Sequence, residues 1–198
     1  MAESQISYAG RGGAKLSRAL DVFGVDVNGM VCADLGCNVG GFTDCLLSRG
    51  ARKVYAVDTG HGMLAWKLRN DARVVVMERT NALRVELPEL ADVAVADVGW
   101  TRQILIVPAA LKMLKSGGCV VSLLKPQYEA KEGERAGGVV RPEFMAGIIE
   151  RVRRDLKPLG IEMGEPIESP LKGGGGNAEY FILARKEQEP HPGFRDIL

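Results

Sequence analysis

Asp34-Leu35-Gly36-Cys37-Asn38-Val39-Gly40-Gly41-Phe42 decides the reading of this chain: it follows a short apolar run, Met30 to Leu35, and leads into an apolar helical stretch, Gly41 to Ser48. Glycines at a strand-to-helix turn let the backbone approach a ligand and aim the helix N–H groups at it. Outward from this turn, short and nearly continuous apolar runs alternate with longer amphipathic stretches, which is how strands buried on both faces read. The spacing predicts strands at Met30–Leu35, Lys53–Asp58, Val74–Glu78, Asp92–Asp97 and Cys119–Leu124. Helices are predicted over Arg11–Phe23 (stopped by Gly24), Gly41–Ser48, Leu64–Arg69, Ile104–Leu114 and Glu143–Leu159. A final hairpin, Ile161–Ile167 with Tyr180–Ala184, is joined through Ser169–Asn177 and its glycine run Gly173–Gly176. The pattern is a doubly wound α/β domain over residues 1–186, with a frayed tail over 187–198.

At 198 residues the chain is long enough for one such domain, and 46% hydrophobic with 26% charged residues is ordinary globular composition. The net charge of +1 announces no global nucleic-acid field, so local charge carries that question. Cys32, Cys37, Cys45 and Cys119 form no CxxC pair and read as reduced, small and mostly buried. With only His61 and His191 as imidazole donors, no metal site is expected. No apolar run approaches the roughly 20 residues that cross a bilayer, and the first residues lack a signal-peptide core, so no membrane association and a cytoplasmic location are expected.

The glycine spacing is G-x-x-x-G-G rather than G-x-G-x-x-G, which argues against a dinucleotide pyrophosphate and for S-adenosylmethionine, with S-adenosylhomocysteine as product. Asp34, Gly36, Gly40, Gly41 and Phe42 belong to this cradle. Asp58 ends the second strand, placed to accept hydrogen bonds from ribose hydroxyls. Asn81, just past the third strand, is a candidate for the adenine edge, and Asp97 faces the methyl donor. His61 falls near the cofactor, where a capping or exposed role is the ordinary reading. Trp66 and Leu68 read as core.

Lys15, Asp97, Lys125 and Glu179 each begin or end a segment that delivers them to one rim of the sheet. Two amines and two acids beside such a cofactor make a proton-handling site for an alcohol. Lys125 is the central residue, orienting the hydroxyl and, as a neutral amine, removing its proton, with Asp97 and Glu179 holding the lysines and balancing charge. The polar, glycine-containing stretch Pro126 to Val140 reads as a lid.

The stretches YAGRGGAKL, DLGCNVGGFTD, VYAVDTGHGMLAWKLRNDARVVVMERTNA, LLKPQYEA and GGGGNAEYF, spread from about Tyr8 to Ala184, resemble the TlyA/hemolysin A family of FtsJ-like ribosomal RNA 2'-O-methyltransferases. The resemblance implies a Rossmann-like, S-adenosylmethionine-dependent class I methyltransferase with strand order 3-2-1-4-5-7-6 and an antiparallel seventh strand. It also implies a Lys-Asp-Lys-Glu tetrad, matched by Lys15, Asp97, Lys125 and Glu179, and ribosomal RNA or a ribosomal subunit as partner. Family members usually read DVSF after the fourth strand. Here Asp97-Val98-Gly99-Trp100 changes the wall beside the transferred methyl. Members often carry an N-terminal S4-type RNA-binding domain, whereas this sequence is expected to supply the catalytic domain alone.

RNA is gripped through its backbone, and the candidates are Arg11, Lys15 and Arg18 on the first helix, Lys131, Arg135 and Arg141 on the lid, and Lys172 in the glycine loop. Tyr128 is placed to stack on an unpaired base. Arg151, Arg153 and Arg154 read as a solvated helix face. The rival readings are a relative that keeps fold and pocket without turnover, a lytic protein, which lacks any membrane-length segment, and a dehydrogenase, for which the glycine spacing is wrong.

Overall fold

The computed structural model describes residues 8–173 and 175–186. The expected fraying of the tail after Lys186 therefore lies outside the described residues, as does Gly174 of the glycine run. The chain opens with α1 (Gly12–Phe23), closed by Gly24 in the left-handed conformation, which donates its N–H to Asp21 and Leu20 carbonyls. β1 (Val31–Leu35), α2 (Gly41–Ser48), β2 (Lys53–Val57), α3 (Trp66–Arg69) and β3 (Val74–Met77) follow. The second half runs β4 (Ala91–Ala96), α4 (Gln103–Lys112), β5 (Leu114–Leu124) and α5 (Pro126–Glu129). After the ribbon of β6 (Arg135–Ala136) and β7 (Val139–Val140) come α6 (Met145–Leu156), β8 (Ile161–Met163), β9 (Ile167–Glu168) and β10 (Tyr180–Lys186).

The main sheet runs β3-β2-β1-β4-β5-β10-β8, with β10 antiparallel to β5 and to β8, which is the order expected for this class. It has eight strands rather than seven, because Gly164-Glu165-Pro166 divides the sixth strand into β8 and β9, both paired to β10. Proline has no N–H for the ladder, so the break falls on an edge strand, where it is tolerated.

Both faces of the sheet are covered, as the unbroken apolar strands require. Along β1, Val31, Ala33 and Leu35 face one core, where α4 brings Ile106, Val107 and Ala110 and α6 brings Val152 and Leu156. Cys32 faces the other, filled by Leu16 and Leu20 of α1, Phe42, Cys45 and Leu46 of α2, and Leu64 and Leu68. β1 pairs in parallel with both β2 and β4. The loops leaving β1 and β4 therefore part at the carboxyl edge and open a crevice, the ligand position in such sheets.

Several boundaries depart from the sequence reading. The helix expected over Leu64–Arg69 is a single turn, and Trp66 is 77% exposed rather than core. Leu64 and Leu68, four apart, take the buried side of that turn, and Trp66 lies opposite. β5 begins at Leu114, ahead of the expected Cys119, and meets β4 through an irregular register between Ala91 and Val93. The predicted helix Glu143–Leu159 is α6 flanked by 3-10 turns at Pro142–Phe144 and Lys157–Leu159. Arg151 is not part of a solvated face: it bonds Glu134 and the Glu129 carbonyl, both from the segment between β5 and α6.

Candidate active site

The glycine turn is shaped by close approach. Asp97 N–H donates to the Leu35 carbonyl, holding the last step of the β1–β4 ladder together just before the two loops part. A Cβ on Gly36, which has φ +87°, would stand 2.6 Å from the Asp97 carbonyl oxygen. Gly40, at φ +96°, has Leu64 and Leu68 where its Cβ would go. Neither position admits a side chain. Asp58 ties the turn to the next loop: its carboxylate accepts from Asn38 N–H at 2.8 Å and from Gly60 N–H at 2.7 Å.

Around this turn lie two cavities. The larger, about 500 Å³, is lined by Gly36, Asn38, Asp58, Asn81, Asp97, Trp100 and Lys125 among others. The smaller, about 250 Å³, is lined by residues including Gly10, Arg11, Lys15, Gly41 and Phe42. Gly36, Asn38 and Asp97 belong to both, so Asp97 stands on the shared wall.

The four candidate catalytic side chains come together as two ion pairs. Lys125 Nζ lies 2.6 Å from Asp97 Oδ1 and donates to the Val98 carbonyl at 3.2 Å. Lys15 Nζ, which is buried, lies 2.6 Å from Glu179 Oε2. Lys15 is thus committed to a buried partner rather than presented on the helix surface, although the reading from sequence also offered it to an RNA backbone. A buried lysine with its carboxylate at this distance is held in one geometry, since losing either partner would leave an unpaired charge in the interior.

Asp34 lines neither cavity. It is fully buried, accepts from Thr43 Oγ1 at 2.6 Å, and its Oδ1 has no hydrogen-bond partner among the described residues. Burial raises its pKa to about 7; the Thr43 hydrogen bond opposes this, and the Asp97 and Asp58 charges add to it. The folded chain then holds a proton that the unfolded chain releases near 3.8, so the native state is the more protonated one between 3.8 and about 7 and stability falls as pH rises through that window. Asp34→Asn, neutral at every pH, is expected to raise the melting temperature relative to the parent more at pH 8 than at pH 5. Thermal unfolding across that range measures it, and a pH-independent difference would show that Asp34 does not titrate there.

Of the other predicted residues, Phe42 is buried with its ring centroid 6.0 Å from that of Phe181, so it walls the smaller cavity from the core side. Asn81 is exposed and uses its Oδ1 to accept from Leu83 N–H, leaving its amide NH₂ for the larger cavity. His61 pairs with Glu78 at 2.9 Å and lines neither cavity. Arg11, Arg18, Lys131, Arg135 and Lys172 are exposed, and Arg135 donates to the Gln127 carbonyl. Arg141 is exposed but held by Glu143 at 2.6 Å. The four cysteines are free and buried, and burial raises their thiols, Cys32 to about 12 and Cys45 to about 11, which disfavours the thiolate.

One contributor escaped the sequence reading, and another does more than that reading gave it. Asn38, at φ 45°, gives its N–H to Asp58 and walls both cavities. Trp100 is 89% exposed, has φ +58°, and stacks on Tyr128 with ring centroids 5.2 Å apart, while Lys125 Nζ lies 5.9 Å from the Tyr128 ring. The sequence set Trp100 in the wall beside the transferred methyl; its contact with Tyr128 is what the structure adds.

A doubly wound sheet with a glycine turn at its switch point, an acid after the second strand and lysine–acid pairs on the rim defines a Rossmann-like methyltransferase. The FtsJ-like methyltransferase family model matches residues 8–186, and the chain belongs to that family. It is 41% identical over 193 residues, 94% of this chain and 72% of the relative, to the 16S/23S rRNA (cytidine-2'-O)-methyltransferase TlyA of Mycobacterium tuberculosis. A solved structure from Streptococcus thermophilus that carries the name hemolysin superposes with TM-score 0.89 at 39% identity, covering 96% of this chain and 70% of that one. Fibrillarin from Aeropyrum pernix with S-adenosylmethionine bound superposes at TM-score 0.61 and 18% identity, covering 88% of this chain and 74% of that one, a likeness of fold.

The enzyme's methyl donor is S-adenosylmethionine, and the residues present suit it. The larger cavity is lined by the carboxylates of Asp58 and Asp97, which would suit a ligand that carries hydroxyls and positive charge, and by Gly36, which carries no side chain.

Proposed function

We propose that this chain methylates a ribose 2'-hydroxyl of ribosomal RNA, within the RNA or an assembled subunit, using Lys15, Asp97, Lys125 and Glu179. The observation that carries this reading is Asp97, which walls both cavities and grips Lys125 at 2.6 Å. One acid thereby joins the cofactor cradle to the amine that handles the alcohol. The name of the M. tuberculosis relative, an rRNA cytidine-2'-O-methyltransferase, supports the substrate class.

Asp58 and Asn81 would hold the nucleoside part of the cofactor, Gly36, Gly40 and Gly41 its backbone-facing side, and Asp97 the region of the reacting methyl. Asp34 would support this cradle from behind rather than touch the ligand. S-adenosylmethionine supplies an electrophilic methyl with a neutral thioether as leaving group. A ribose hydroxyl is a weak nucleophile, so the protein's task is to orient it and take its proton as the new bond forms. Two of Lys125's directions are fixed by Asp97 and the Val98 carbonyl, which aims the remainder of the amine into the cavity. The proton released from the hydroxyl would pass to this Lys125–Asp97 pair. The Lys15–Glu179 pair holds the opposite wall in place.

Arg11, Arg18, Lys131, Arg135, Arg141 and Lys172 would meet phosphates, and Tyr128 with Trp100 would present a face to an unpaired base. Residues 1–186 form the methyltransferase domain in this reading, and a ribosomal substrate places it in the cytoplasm. Among the described residues no helix is long and apolar enough to cross a membrane. The test is methyl transfer from labelled cofactor to ribosomal subunits lacking the modification, followed by nucleoside mass spectrometry. A 2'-O-methylnucleoside is expected. A base-methylated product would overturn the ribose assignment, and cofactor binding without transfer to any RNA would select the silent relative.

A further inference from the structure

Lys125 and Asp97 follow the paired strands β5 and β4, which bring them to one edge, and Lys125 also bonds the Val98 carbonyl; how the loops beyond the strand ends are held is set elsewhere. Beneath the pair lies a buried polar cluster. Glu129, 6% exposed, ends the single turn of α5, four residues after Lys125. Its Oε1 accepts the backbone N–H of Gln103 at 2.6 Å, and its Oε2 accepts Arg102 Nε at 3.1 Å. Gln103, 2% exposed, is the first residue of α4, six positions after Asp97. Its side chain donates to the Leu123 carbonyl at 3.2 Å and accepts from Ser122 Oγ at 2.7 Å.

The arrangement is unusual in one respect. α4 has no side-chain cap from its own N-cap residue, Arg102. The acceptor for its first N–H comes from α5 instead, a carboxylate at the positive end of the helix. The helix that follows the Asp97 loop is thus capped by the turn that follows Lys125. That turn is stiff: Pro126 begins it, Tyr128 N–H returns to the Lys125 carbonyl at 2.9 Å, and Ala130 N–H returns to the Pro126 carbonyl at 2.9 Å. Arg151 from α6 holds its far end through the Glu129 carbonyl. A displacement of Glu129 is therefore carried through one rigid turn to Lys125 and Tyr128.

We propose that Glu129 and Gln103 are positioning residues: they brace the two loops so that Lys125 stands at the right separation from Asp97 and Tyr128 stays stacked on Trp100. This rests on the reading of Lys125 as the residue that orients the alcohol. A buried carboxylate with two directional donors gives a fixed geometry where apolar packing would permit sliding. Sub-ångström placement matters here, because misplacing a reacting group by about 1 Å costs on the order of a hundredfold in rate.

The test compares Glu129→Ala, Glu129→Gln and Lys125→Ala in methyl transfer to unmodified ribosomal subunits and in cofactor binding. Trp66→Phe added to each makes Trp100 the sole indole reporter, since the chain has two tryptophans. Glu129→Ala is expected to lower kcat by about tenfold to a hundredfold, to leave S-adenosylmethionine affinity near the parent's, and to lower the fluorescence anisotropy of Trp100. Glu129→Gln keeps an oxygen for the Gln103 N–H and should restore most of the rate and the anisotropy. If Glu129→Ala does not fold, Gln103→Met, of similar volume, tests the other half of the cluster: it removes the bonds to Ser122 and the Leu123 carbonyl, keeps the backbone N–H to Glu129, and is expected to lower kcat and the anisotropy by a smaller factor. Parent-like kcat and anisotropy in the Glu129 and Gln103 variants, with Lys125→Ala inactive, would overturn the brace alone. Activity retained in Lys125→Ala would instead remove the reading on which it stands.

Discussion

Lys125→Ala is expected to lower the rate of methyl transfer by at least about a hundredfold, the usual range for a positioned proton-handling group, while S-adenosylmethionine binds nearly as well as to the parent. The asymmetry follows from position. Lys125 lines the far wall of the larger cavity, and its fixed partners are Asp97 and the Val98 carbonyl rather than the glycine turn or Asp58. Removing it leaves the nucleoside side of the cradle intact and takes away only what acts on the alcohol. Single-turnover transfer to unmodified subunits, read beside calorimetric cofactor titration, separates the two quantities. Parent-like turnover would refute the role assigned to Lys125. Equal losses in rate and affinity would move it into the cofactor site.

The second large effect is expected at Asp58, with the opposite split. Asp58→Ala should weaken S-adenosylmethionine binding by roughly a hundredfold or more, because hydrogen bonds to a charged group contribute about 1.5–3 kcal/mol each and about 1.4 kcal/mol is tenfold in affinity. The carboxylate also accepts from Asn38 and Gly60 N–H groups, so its loss frees two loops at once. Asp58→Asn retains an acceptor oxygen and should lose less. Calorimetric titration of the two variants measures this ordering. An unchanged dissociation constant in Asp58→Ala would place the cofactor's ribose elsewhere. At saturating cofactor, Asp58→Ala should recover much of its rate, which Lys125→Ala should not.

The fold was legible in the amino-acid sequence because its decisive signals are local. Each parallel strand is an apolar run buried on both faces, Gly36 and Gly40 stand where backbone must carry no side chain, and Gly24 ends α1 where a left-handed residue is needed. Asp97 and Lys125 could be assigned to one sheet edge for the same reason, since parallel strand ends face one way; Glu179 reaches that edge from just ahead of the antiparallel β10 and Lys15 from helix α1. Local pattern also misled where a segment is short. Trp66 counted as core until a single turn of helix left it in solvent, and Pro166 divides a strand that reads as one.

Partnership between side chains was another matter. That Lys15 takes Glu179, 164 residues away, that Lys125 takes Asp97, and that Glu129 reaches back to cap a helix from another segment are facts of strand order and loop path. Arg151 shows the same limit: it lies three residues from the exposed Arg154, one helical turn away, yet the segment after α5 passes over it and supplies Glu134. Periodicity along a chain encodes which residues leave water. Directed contacts between distant residues depend on how the elements are ordered and how their loops run, and that only the assembled tertiary structure decides.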